Sequence, residues 1–188
     1  RAERNANAGL VVNVDPAALG HKALAVNLSD LAAMSALPLA FTLALALPPA
    51  RAGDNAWMSA LARGLFALAD EHRCALVGGD TTAGPLNISI TVLRQVPAGQ
   101  APRRDGARPG DDIWVSGTLG EARLALLALQ GHLALPPDRL AALRQRLERP
   151  TPRLALGTAL RGVATSGIDL SDGLAGDLRH ILNASGVG

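Results

Sequence analysis

The run Leu39-Ala40-Phe41-Thr42-Leu43-Ala44-Leu45-Ala46-Leu47 sets a bulky side chain at every odd position and a small one at nearly every even position. A period of two belongs to a strand with one large and one small face, because successive side chains of extended backbone point to opposite sides. The run lies inside Leu31–Ala50, where no residue is charged, a length that reaches across a bilayer. Pro38, Pro48 and Pro49 interrupt it. The expectation is a buried strand of a globular protein, with no membrane span and no signal peptide.

Several function classes drop out on composition. Hydrophobic residues make up 48% of the 188, enough for a sizeable core and too many for a disordered tail. Aromatic residues make up 2%, with no Tyr, so the core must be built from Leu, Val, Ile and Ala, and base stacking on aromatic rings is not expected. The net charge is +2 and the basic residues are spread along the chain, which argues against a nucleic-acid partner. Cys74 is the single cysteine, so no disulfide framework forms within one chain, and a cytoplasmic location is expected. Lys22 is the single lysine, and no phosphate-binding loop of the G-x-x-x-x-G-K-[S/T] kind occurs. His21, His72, His132 and His180 have no zinc-ligand spacing.

Residues 1–14 are weakly informative, with Leu10 to Val14 a candidate strand end. Asp15-Pro16 predicts a helix start, an N-cap carboxylate before a proline at the first helical position, and the helix is expected to run to about Ala36. After strand 39–47, Pro48 to Asp54 reads as a loop. Residues 55–73 read as a helix with Trp57, Leu61, Leu65 and Leu68 on one face. Ala75 to Val77 reads as a short strand entering Gly78-Gly79-Asp80, with a loop from Thr81 to Pro85. A second alternating strand follows, with Leu86, Ile88, Ile90 and Val92 on one side. The Pro-, Gly- and Arg-rich stretch Pro97–Asp112 marks a domain boundary, giving expected domains at 1–108 and 109–188. Beyond it, Ile113 to Val115 reads as a strand, and Gly120–Gln130, Pro137–Arg149 and Pro152–Arg161 read as helices. Val163–Leu170 reads as strand plus turn, and Gly173–Ala184 as a helix with Leu174, Leu178, Ile181 and Leu182 inward. Helices between strands, with some strands adjacent, give α/β or mixed α+β as the class.

Three acidic positions stand out. Asp30 is the one charged residue from Ala23 to Ala36 and shares a helix face with Asn27. It either faces solvent at a helix end or is paired or holds a cation. Asp80 follows two glycines and precedes two threonines. Such a run lets backbone approach a ligand and offers oxygens to Mg²⁺, and it equally makes an ordinary turn. In Ile168-Asp169-Leu170-Ser171-Asp172-Gly173-Leu174, two carboxylates flank a hydroxyl just before a helix. They can hold Mg²⁺ between phosphates, with free N–H groups at the helix start receiving an anion, while Ser171 or Asp172 also qualifies as a plain N-cap. Acids with no histidine base and no nucleophile suit phosphoryl transfer by positioning and metal ions. Arg103, Arg104 and Arg108 in the boundary loop can grip phosphate in pairs of hydrogen bonds, or form a solvated surface.

The segment His21 to Met34, containing Asn27-Leu28-Ser29-Asp30, then Gly78-Gly79-Asp80-Thr81-Thr82, Gly106-Ala107-Arg108-Pro109-Gly110-Asp111 and Ile168 to Leu174 together resemble the thiamine-monophosphate kinase family, in order and spacing from about Asp15 to Gly188. The resemblance implies ATP-dependent phosphorylation of thiamine monophosphate to thiamine diphosphate, by in-line attack of the substrate phosphate on the γ-phosphorus with Mg²⁺ ions between the phosphates. It implies the two-domain fold of aminoimidazole ribonucleotide synthetase, dimerising through the N-terminal sheet. By matching position, Asp30, Asp80, Asp169 and Asp172 would be metal ligands, and Gly79, Asp80, Arg104 and Ser171 would contact ATP. Ser35 and Arg94 stand where the family usually has glycine. The family's N-terminal acidic segment has no match in residues 1–14, and the family continues beyond Gly188, so a fragment lacking both ends is expected. Alternatives are another ATP-using enzyme of the same superfamily, such as selenophosphate synthetase or the hydrogenase-maturation type, or a non-catalytic nucleotide-binding dimerisation module.

Overall fold

The computed structural model describes residues 14–187; the candidate strand end at Leu10–Val14 falls almost wholly outside them. Helix α1 (Pro16–Ala33) starts as expected, the Asp15 carboxylate accepting from the N–H groups of Ala17 and Ala18. It stops short of Ala36. Ser35 adopts φ 54°, and the Ser35 and Ala36 N–H groups fold back onto the Ala32 and Leu31 carbonyls. This left-handed stop satisfies carbonyls that the helix end would otherwise orphan. The next helix ends the same way. After α2 (Pro49–Ala52), a short turn where a loop was expected, α3 (Asn55–Glu71) is halted by Arg73 at φ 52° and by the Cys74 N–H on the Ala69 carbonyl.

Each stop delivers the chain into a strand. β1 (Leu37–Leu47) is the middle strand of three, with β2 (Ala75–Ala83) parallel on one side and β3 (Asn87–Gln95) antiparallel on the other. The large face of β1 is buried at Phe41, Leu45 and Leu47. Leu39 breaks the pattern and is exposed, because the register against β3 slips between Pro38 and Ala40. β2 runs through Gly78-Gly79-Asp80-Thr81-Thr82 to Ala83, so this stretch is paired strand and not the expected turn and loop.

Helices α1 and α3 cover one face of the sheet. One cluster gathers Leu24, Leu28, Leu31, Phe41, Leu65, Leu68 and Cys74, and a second gathers Leu45, Leu47, Trp57 and Leu61. Ile90 and Val92 pack against the first, Leu86 and Ile88 against the second, as the alternation of β3 predicts.

The segment Pro97–Asp112 carries no helix and, apart from an isolated bridge between Arg103 and Ser166, no strand pairing. Four helices follow: α4 (Glu121–Leu129), α5 (Pro137–Glu148), α6 (Leu154–Ala159) and α7 (Leu174–Ser185). The expected strand Ile113–Val115 is absent, with Trp114 88% exposed, and Val163–Leu170 contributes only the Ser166 bridge. Extended segments become strands only where another edge offers N–H and C=O groups; among the described residues Ile113–Val115 finds none, and Val163–Leu170 finds only the one bridge to Arg103. In α7 the expected inward leucines and Ile181 are half-buried, and the buried residue is Asp177. The result is a mixed α/β structure, as expected. No described helix is long and apolar enough to cross a membrane.

Candidate functional site

A cavity of about 820 Å³ opens where the C-terminal part of α1, strand β3, residues 101–105 and residues 167–169 meet. Asn27, Asp30 and Met34 come from α1, Thr91 and Arg94 from β3, Arg103, Arg104 and Asp105 from the connecting segment, and Asp169 from the loop before α7. Acids and guanidinium groups therefore share one space. The shared helix face of Asn27 and Asp30 is confirmed, and the Asn27 amide donates to the Ala23 carbonyl at 2.8 Å.

Asp30 and Asp169 are the two sequence-predicted acids that meet here. Asp30 keeps enough contact with solvent to count as exposed. Burial of its carboxyl against the cavity wall, and then the charge of Asp169, push its pKa above the ordinary carboxylate value, while Arg104 opposes both. Asp169 accepts hydrogen bonds from the Ser29 hydroxyl on one oxygen and from the Ser171 hydroxyl, at 2.9 Å, on the other. Two mutually repelling carboxylates flanked by hydroxyls form an oxygen-only donor set that suits a hard cation. Among the described residues no three His, Cys, Asp or Glu side chains gather closely enough to hold a metal ion alone. That fits Mg²⁺, which is usually held by one or two carboxylates, with water and substrate phosphates completing its shell.

Asp80 and Asp172 lie outside this cavity's lining. Asp80 sits in β2 opposite Ala44 and accepts the Thr81 N–H at 2.8 Å. Thr81 lines a separate apolar cavity of about 170 Å³ under the helices, with Leu43 and Leu45, so strand alternation turns Asp80 to the uncovered face of the sheet. Gly79 has φ 146°, and a Cβ there would come within 1.9 Å of the Leu43 carbonyl oxygen. Only glycine fits, and the immediate reason is the approach of β1. Of the three arginines of the connecting segment, Arg104 and Arg103 line the cavity, but Arg103 already spends two N–H groups on Asp105, at 2.7 and 2.6 Å. Arg108 bonds through its backbone N–H to Asp111. Arg94 stands on an edge strand and also reaches the cavity.

The helix start near Gly173 departs from the expectation. Neither Ser171 nor Asp172 caps it. The N-cap is Gly173, without a side-chain cap bond. In the loop just ahead of the helix, the N–H groups of Ser171, Asp172 and Gly173 all donate to Asp177 Oδ2, at 2.9, 3.1 and 3.1 Å. Sequence reasoning missed Asp177 because an acid in the first turn of a helix reads as solvent-facing; its spacing four residues after Gly173, where it can reach back over the turn, was the available signal. Ser29 was likewise seen only as a neighbour of Asp30.

Residues 5–96 match the family described as AIR synthase related protein, N-terminal domain. Over 177 residues, 94% of this chain and 54% of the relative, the sequence is 50% identical to thiamine-monophosphate kinase of Salmonella typhimurium. The crystal structure of thiamine-monophosphate kinase from Stenotrophomonas maltophilia superposes with a TM-score of 0.85 at 53% identity, over 92% of this chain and 55% of that one. A structure of AaThiL complexed with AMPPCP and TMP gives 0.83 at 33% identity, over 93% and 55%. The chain thus spans about half the length of the relatives it matches. On these matches residues 5–96, just under half of the chain, are similar to the N-terminal domain of AIR synthase related proteins, and the chain as a whole is similar to thiamine-monophosphate kinases.

Proposed function

We propose that this chain is the metal- and nucleotide-binding part of an ATP-dependent thiamine-monophosphate kinase, which makes thiamine diphosphate by in-line phosphoryl transfer. The observation that carries the reading is the meeting of Asp30 and Asp169 in one cavity with Arg104, in a chain half identical to such a kinase over 94% of its length. Carboxylates and guanidinium groups lining one cavity suit a polyphosphate carrying divalent cations: the acids take the cation, and the arginines take phosphate oxygens in pairs. A bound Mg²⁺ would neutralise phosphate charge, and phosphoryl transfer then needs positioning more than a protein nucleophile. Asp30 and Asp169 hold that cation, Ser29 and Ser171 orient Asp169, and Arg104 faces the nucleotide phosphates. The same reading makes Asp80, on the uncovered face of the sheet, and Asp172 further metal ligands, and makes Gly79 and Ser171 contacts of ATP.

The same reading divides the protein at residues 1–108 and 109–188, places it in the cytoplasm and makes it a homodimer through its sheet. Strand β2 is exposed along its whole length, with Val77 60% exposed, and Leu39 of β1 and Leu93 of β3 are exposed as well. Apolar residues on an uncovered sheet mark a surface that gains by association. A dimer formed there would cover the face that carries Asp80.

The test is ADP release by the complete protein with ATP, Mg²⁺ and thiamine monophosphate. Turnover that depends on both substrates and vanishes with chelator is expected, and Asp30→Asn and Asp169→Asn should each lower the rate by about 10- to 100-fold or more. No turnover by the unaltered protein sinks the proposal. Asp80→Asn separates a ligand from a merely structural strand residue: loss of Mg²⁺-dependent ATP binding with an unchanged melting temperature is the expected result.

A further inference from the structure

Asp177 is 4% exposed, yet among the described residues its carboxylate forms no ion pair. It spends a single oxygen, Oδ2, on the three consecutive N–H groups of Ser171, Asp172 and Gly173. Three successive N–H groups aimed at one point make an anion cradle of the kind that elsewhere receives a phosphate. Here the anion is built in. The cradle exists because Gly173 adopts φ 109° and ψ 155°, a conformation that side-chain-bearing residues rarely reach.

The consequence falls on the neighbouring side chains. Ser and Asp in front of a helix ordinarily turn inward and cap it, as Asp15 and Asp54 do at α1 and α3. At α7 no side chain caps the helix; Asp177 instead holds the loop backbone ahead of it, at Ser171, Asp172 and Gly173, and the Ser171 and Asp172 side chains make no cap bond. Ser171 Oγ turns to Asp169 Oδ2 at 2.9 Å, and Asp169 in turn receives the Ser29 hydroxyl from α1. The chain of contacts runs Asp177, loop backbone, Ser171, Asp169, and ends at the cavity wall. Among the described residues of α7, Asp177 is the buried one, although three leucines and an isoleucine share that helix. A carboxylate in that position is costly unless its hydrogen bonds are complete, and three N–H groups complete them.

We propose that Asp177 is a positioning residue: it fills the backbone cradle at the start of α7 and thereby holds Asp169 and Ser171 facing the cavity. This rests on the reading that Asp169 and Ser171 receive the metal–nucleotide. It also assigns the anion to the side-chain face of the loop and not to its backbone N–H groups, which are occupied.

The experiment uses the complete protein and three readouts: Mg²⁺-dependent ATP binding by calorimetry, the Mg²⁺ concentration for half-maximal ADP release, and amide exchange at residues 171–173. In Asp177→Ala the three amides lose protection, and the Mg²⁺ requirement rises roughly 10- to 100-fold, the usual effect of removing a group that orients a metal ligand. Asp177→Asn keeps one acceptor oxygen and falls between wild type and alanine, which a purely steric role would not produce. A variant that melts earlier but keeps the wild-type Mg²⁺ requirement and ATP affinity overturns the proposal. Should the alanine variant not fold, the asparagine variant decides: an unchanged Mg²⁺ requirement overturns it, and a raised one supports it. Wild-type protein that binds ATP with Mg²⁺ but ignores thiamine monophosphate refutes the substrate and leaves the Asp177 proposal to stand or fall on the binding and exchange results. Wild-type protein that takes up neither Mg²⁺ nor ATP refutes both.

Discussion

Ser35 holds two disadvantages in one residue. It adopts φ 54°, where a Cβ is strained, and its hydroxyl is buried without a hydrogen-bond partner. Glycine at this position removes both and adds backbone freedom to the unfolded chain, which costs about 0.5–1 kcal/mol. The strain and the orphaned hydroxyl outweigh that, so Ser35→Gly is expected to raise stability by about 1 kcal/mol in urea unfolding. Lys22 carries a different burden. Burial lowers the pKa of its ammonium and Glu148 only partly restores it. The folded protein therefore sheds this proton at a lower pH than the unfolded chain, which holds it to about 10.5. Between those two values the unfolded chain binds more protons, so this group makes stability rise with pH. Below the window the penalty is present in full. Lys22→Met is expected to be the more stable protein at pH 7, with an advantage that shrinks as pH approaches 10.5, read from paired unfolding curves. Cys74 is buried, which pushes its thiol pKa up. Its reaction with a thiol reagent at pH 8 should therefore follow unfolding and not the exposure of a native thiolate.

Contacts between elements explain why the helical layer is so close. A Cβ on Gly20 would lie 2.0 Å from the Leu61 carbonyl oxygen, and one on Gly64 would lie 1.8 Å from that of Ala17. The two glycines sit reciprocally at one crossing, and the atoms in the way are backbone, which cannot swing aside. Gly64→Ala should force α1 and α3 apart and cost about 1–3 kcal/mol, or more if the core clusters beneath fail to repack. Thermal unfolding checks it, and the double variant with Gly20→Ala should cost less than the sum of the two, because the first substitution has already opened the crossing. Much at this scale was legible. The alternation of β1 and β3, the Asp15 cap and the proline starts of α1 and α5 are local signals that the structure keeps. The Gly78–Thr82 run was not. Its residues favour turns, and pairing with β1 overrides them, since a parallel neighbour satisfies backbone groups that a turn would leave to water.

In the whole molecule, the C-terminal half grips the end of α1. Arg161 donates two N–H groups to the Ser35 carbonyl at 2.9 and 2.7 Å, and α6 approaches closely enough that a Cβ on Gly157 would meet the Ala32 carbonyl oxygen at 2.1 Å. Arg161→Ala should cost about 1.5–3 kcal/mol, the range for a hydrogen bond from a charged donor. Arg161→Lys should recover little of it, because an ammonium lacks the planar fork. The same clamp fixes the helix that carries Asp30 relative to the loop that carries Asp169, which lie 139 residues apart in sequence by their numbering. What the amino-acid order alone determined is everything set by neighbours within a few residues: where helices begin, which faces of the strands are apolar, which loops are glycine-rich, and which acids stand alone. Tertiary structure decided which of those acids meet, that Asp80 faces away across the sheet, and that a buried Asp177 holds the loop backbone around Ser171. These depend on the crossing of distant segments, and local sequence carries no record of the neighbour it will meet.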